Sequence, residues 1–83
     1  MIKINSKPVI ARLLKRRTCA TLILTNSDSV PAGLLYRLGR LAFMTDMVNE
    51  YKDFICVVPL GEKFNKLWNK IMSIASFSKI EEI

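Results

Sequence analysis

Thr21-Leu22-Ile23-Leu24-Thr25 is a short apolar run, and it is followed by Val30-Pro31-Ala32-Gly33 and by helical patterning from Leu34 onward. The same arrangement returns as Phe54-Ile55-Cys56-Val57-Val58, then Pro59-Leu60-Gly61, then Glu62 onward. Proline is tolerated in the first turn of a helix because the N–H it lacks would have no partner there. Two strand-to-helix units in so short a chain predict an α/β fold. Leu22-Ile23-Leu24 is apolar without alternation, as expected of a parallel strand buried on both faces.

Working outward, Met1-Ile2-Lys3-Ile4-Asn5 alternates and reads as an edge strand. Ser6 reads as the cap of a helix entered at Lys7-Pro8. One face of that helix carries Val9, Ile10, Leu13 and Leu14; Lys7, Arg12, Lys15, Arg16 and Arg17 fall mainly on the other. Arginines in the last turn suit the negative end of the helix dipole. Residues 18–25 read as a strand and residues 26–29 as a loop, with Asp28 or Ser29 capping the next helix. That helix is expected from residue 30 to about 51. Leu34, Leu38, Leu41, Thr45 and Val48 trace one stripe, while Leu35, Tyr36, Ala42, Phe43 and Met47 widen the apolar surface; Gly39 is the one point of division. Residues 54–58 read as a strand and residues 62 to about 76 as a helix. Phe64, Leu67, Trp68, Ile71, Ile74 and Ala75 face inward, and Lys63, Lys66 and Lys70 form a solvated stripe. Residues 77–83 show no turn or cap signal and read as frayed.

The order β-α-β-α-β-α predicts a small three-stranded, mainly parallel sheet with flanking helices in a single domain. The alternative is a mostly helical winged-helix-like domain, with Leu34–Gly39 in a helix-turn-helix. It ranks second because too few residues lie between Phe54 and Pro59 for a two-stranded wing. Its recognition helix would also carry Asp46 and Glu50 against a single Lys52.

Composition narrows the function. The chain has 83 residues, 51% of them apolar, which is enough for one packed core. No apolar run approaches the roughly 18 residues of a membrane span. Residues 1–5 have no apolar h-region, so an intracellular, cytoplasmic location is expected. There is no histidine, the commonest general base. Cys19 and Cys56 lie in apolar runs and read as buried thiols, not as a disulfide or metal ligands. Asp28 beside Ser27 and Ser29 has no histidine or lysine partner for nucleophilic catalysis. No enzyme, metal or cofactor is expected. Thirteen Lys and Arg against seven Asp and Glu give a net charge of +6, which favours a polyanionic partner.

Over residues 7–61 the layout resembles the ribosomal L7Ae and L30e family of small RNA-binding proteins. The matching features are the basic stretch from Lys7 to Arg17, the loop Asp28-Ser29-Val30-Pro31, and Leu60-Gly61 after Val57-Val58-Pro59. The family's RNA-contacting Gly-x-Asn-Glu stretch has no counterpart, since Val9 and Ile10 stand near its place, so no contact residue is carried over. The resemblance implies RNA in preference to DNA.

The expected function is therefore that of a small basic, non-enzymatic nucleic-acid-binding protein. Lys7, Arg12, Lys15, Arg16 and Arg17 are its leading contacts, followed by Arg37 and Arg40. One alternative is a protein–protein interaction module, or an inhibitor of a nucleic-acid machine, resting on the wide apolar surface of residues 34–48. It would dimerise through Tyr36, Phe43 and Met47. The other is a winged-helix DNA-binding regulator.

Overall fold

A computed structural model describes residues 8–48, 53–74 and 77–82 of the chain. It is an α/β fold with a five-stranded mixed sheet covered on one face by two helices. The elements run β1 (Val9–Lys15), β2 (Cys19–Thr25), α1 (Ala32–Leu41), β3 (Met44–Val48), β4 (Asp53–Pro59), α2 (Glu62–Ile74) and β5 (Phe77–Glu82). The strand order is β3-β4-β2-β1-β5. The β3–β4, β4–β2 and β2–β1 pairs are antiparallel, and only β1–β5 is parallel. The expected three-stranded, mainly parallel sheet is thus overturned, and so is the helical winged-helix alternative.

The two strand-to-helix units are present, and proline and glycine serve them differently. Pro31 is the N-cap of α1, and Gly33 lies inside that helix. Pro59 ends β4, and Gly61, at φ 152°, turns the chain into α2 through a conformation open almost only to glycine. Neither Asp28 nor Ser29 caps α1, which has no side-chain cap. They belong instead to a 3-10 turn, Ser27–Ser29, entered through Asn26 in the left-handed region. Asn26 Nδ2 donates to the Pro8 carbonyl at 2.9 Å and fixes that turn beside the start of β1.

Three segments depart from the sequence reading, each for a physical reason. Residues 9–15, expected as a basic helix, are strand β1, paired from Ile10–Thr25 to Lys15–Ala20 with β2. The reversal spans only Arg17-Thr18, and the Arg16 N–H donates to the Cys19 carbonyl at 2.8 Å. Two-residue hairpins ordinarily announce themselves with Gly, Asn or Asp at positive φ. This one has neither those residues nor positive φ. The expected long helix ends at Leu41. Ala42 turns extended, with its N–H still on the Leu38 carbonyl at 2.9 Å, and the chain becomes β3 along the edge of β4. Residues 77–82 are β5, held against β1 by parallel pairing rather than frayed.

Strand alternation sorts the sheet into two faces. Val9, Ala11 and Leu13 of β1, Ala20, Leu22 and Leu24 of β2, and Phe54, Cys56 and Val58 of β4 are buried toward the helices. They form one core with Leu34 and Leu38 of α1 and with Phe64, Leu67, Trp68 and Ile71 of α2. Trp68 lies in that core, its ring 5.9 Å from Phe64 and 5.8 Å from Phe77. Ile74, expected inward, is exposed. The outer face carries Ile10, Leu14, Ile23, Ile55 and Val57, each half-buried. Among the described residues no helix is long and apolar enough to cross a membrane.

Leu13 and Leu14 separate the strand from the helix experimentally. On a helix both would face the core, but on β1 only Leu13, 2% exposed, does so. Leu13→Ala should cost about 2–5 kcal/mol in urea denaturation, and Leu14→Ala markedly less. Equal costs would contradict the strand.

Candidate nucleic-acid interface

The connections place the two helices side by side. Strand β2 leads through α1 to β3 and skips over β4; β4 leads through α2 to β5 and skips over β2 and β1. Both crossovers lie on the same face, so α1 and α2 pack against each other and run in opposite directions. Their buried stripes turn down to the sheet. A cleft of about 450 Å³ opens between them, lined by Arg37 and Leu41 of α1 and by Lys63, Lys66, Leu67 and Lys70 of α2.

The chemistry of this cleft is plain. Leu67 is buried and Leu41 half-buried, so the floor is apolar. Arg37, Lys63, Lys66 and Lys70 are exposed at its rim. Lys63, Lys66 and Lys70 share a side of α2 because residues three and four apart are neighbours on a helix. Lys66 meets Glu62 at 3.7 Å, an i,i+4 pair in solvent that neutralises little. Among the described residues Arg37, Lys63 and Lys70 have no ion pair. A recess rimmed by one sign of charge and floored by apolar surface focuses its field outward and attracts anions.

The basic cluster that the sequence placed on one helix face is dispersed. Arg12 sits on the outer face of the sheet, its Nε 3.0 Å from Glu81 Oε1. Lys15 Nζ lies 3.4 Å from Glu82 Oε1. Both pairs join β1 to β5, so these two cations serve the sheet edge. Arg16 and Arg17 are exposed at the β1–β2 reversal. The Leu60 N–H donates to the Thr18 carbonyl at 2.9 Å, which sets that reversal at the end of the sheet where α2 begins. Lys7 lies outside the described residues. Of the residues expected to contact nucleic acid, Arg37 enters the cleft. Arg40 lies one helical turn further along α1, its guanidinium 5.9 Å from the centre of the Tyr36 ring.

The lysine stripe that completes the cleft was legible as a stripe at helical spacing but was read as a solvated face. Its pairing with Arg37 depends on helix packing, which spacing alone does not reveal. The proposed dimer trio is also separated. Tyr36 is on α1, Phe43 follows that helix, and Met47 is in β3, with its side chain outside the described residues.

No known family model matches the sequence, and no curated protein or solved structure is significantly similar to it. The stretch that stands for the basic helix in the L7Ae and L30e resemblance is strand β1.

The Cys56 thiol is a poor nucleophile candidate. Cys19 and Cys56 are unbridged, and burial pushes the Cys56 thiol up to about 12. Alkylation of the native protein at pH 8 should modify Cys19 well ahead of Cys56, with both reacting once urea unfolds the chain. The ordinary value is 9.0, so above that pH the unfolded state releases a proton the folded state retains. The stabilisation tied to Cys56 is whole below pH 9 and declines as pH rises toward 12. Cys56→Ala should therefore show a shallower alkaline loss of stability than the wild type.

Proposed function

We propose that this protein binds nucleic acid, laying the phosphate backbone along the cleft between α1 and α2. The observation that carries this reading is the convergence of Arg37, Lys63, Lys66 and Lys70 around the Leu41–Leu67 floor, where among the described residues a single glutamate, Glu62, pairs with the rim. Each phosphate neutralised there releases condensed counterions, and mutual repulsion among the rim cations falls as well. Arg16 and Arg17 lie at the end of the sheet where α2 starts and extend the positive surface along the ligand's path. RNA is preferred to DNA on the resemblance alone.

The test is retention on RNA and DNA as salt is varied. Lys63→Glu with Lys70→Glu should fold normally, since both side chains are exposed, and should lose most binding at low salt. The slope of log affinity against log salt should flatten by roughly 0.7–0.9 for each phosphate contact removed. Arg16→Ala with Arg17→Ala should also fold normally and weaken binding less. A wild-type protein that binds neither nucleic acid at low salt would overturn the reading.

One observation favours a second reading, self-association. The outer sheet face presents Ile10, Leu14, Ile23, Ile55 and Val57, with Met44 on the neighbouring strand 66% exposed. Phe43, also 66% exposed, donates its N–H to the Val57 carbonyl at the rim of that face. A two-fold dimer would cover these apolar side chains. Sedimentation should give a dimer at tens of micromolar, and Phe43→Glu a monomer. A monomeric wild type at that concentration would rule this out.

A further inference from the structure

We infer that the cleft takes single-stranded nucleic acid and that Tyr36, braced by Arg40, is a platform on which a base stacks. This rests on the nucleic-acid reading above and adds the form of the ligand. Three observations carry it.

The cations rim a hollow and do not crown a ridge. Proteins that read duplex DNA commonly push a protruding helix or ribbon into a groove about 12 Å wide. Here α1 and α2 lie in one layer on one sheet face, and Arg37, Lys63, Lys66 and Lys70 surround the hollow between them. A duplex would span the two helices and leave the hollow unfilled. A single strand is narrower and can follow it.

The floor is apolar. Leu41 and Leu67 offer no hydrogen bond to a phosphate, yet they suit the flat face of a base or a sugar. A duplex keeps its base faces stacked inside, whereas a single strand presents them.

The third observation lies outside the cleft. Tyr36 is 66% exposed, so its ring is open to a base. Arg40 stacks over one side of it at 5.9 Å and restrains the ring. Arg37 and Arg40 are neighbours on the helix surface, three residues apart. The positive strip that begins in the cleft at Arg37 therefore continues through Arg40 to Tyr36. A positive track with an exposed aromatic beside it is the common device of single-strand binders, because every base has a face to stack.

The experiment is fluorescence anisotropy with labelled twelve-nucleotide RNA and DNA strands and with their duplexes, compared at one low salt and repeated over a salt series. The wild type should bind the single strands at least about tenfold tighter than the duplexes. Tyr36→Ala should lose about tenfold on single strands without changing the salt slope, while Tyr36→Phe should keep the affinity. Circular dichroism should show both variants folded. The RNA and DNA arms decide whether the 2′-hydroxyl contributes. Duplex binding as tight as single-strand binding, or wild-type affinity in Tyr36→Ala, would overturn the inference and leave the nucleic-acid reading standing. Failure of every probe to bind would overturn both.

Discussion

Leu22 and Leu24, on the strand between β1 and β4, are fully buried and lie where both helices meet the sheet. Everything else follows from covering that one face. The small side chains of Ala11 and Ala20 share one core with the large ones of Phe64, Trp68 and Ile71. Large residues such as Leu38 and Phe54 fill the side where α1 lies. A domain of this length has a single core and little stability to spare. Both helices must share that face, and their contact line is then fixed. The cleft is the surface trace of this packing, not an addition to it.

Charge in this chain follows the same division. The cations of β1 face carboxylates of β5, and Arg12 and Lys15 are thereby tied up in joining two strands. Among the described residues the cations of α1 and α2 have one ion pair, Lys66 with Glu62. A net charge of +6 read from composition hides this distinction. What matters for a polyanion is the excess on the helix layer, since surface ion pairs at the β1–β5 edge contribute little field at a distance.

Local signals were legible and distant ones were not. The strand–proline–helix units could be read because proline and glycine act within a few residues of themselves, and β2, β4 and α2 lie close to where they were expected. Strand β1 was hidden by its reversal at Arg17-Thr18, which lacks the usual turn residues, and by the way Val9, Ile10, Leu13 and Leu14 satisfy helical spacing. Strand β3 was hidden because Leu41, Thr45 and Val48 continue the α1 stripe past its true end. Strand β5 was hidden because its partner, β1, lies more than sixty residues away. The site divides the same way. Arg37 and the lysine stripe were each visible in the sequence, but their meeting is a property of the packed helices.

The parallel pairing of β1 with β5 sets an order on assembly. As the chain leaves the ribosome, β1, β2 and α1 are available early, and β4 can join them. The free edge of β1 stays open until residues 77–82 emerge. Closing that loop bears an entropic cost that grows with its length, and such non-local pairings form slowly. Until then an unpaired row of backbone groups and the cations Arg12 and Lys15 face solvent, and charge on an exposed edge discourages pairing with another chain. Two of the residues expected to hold nucleic acid thus serve the nascent chain as guards of an unfinished edge.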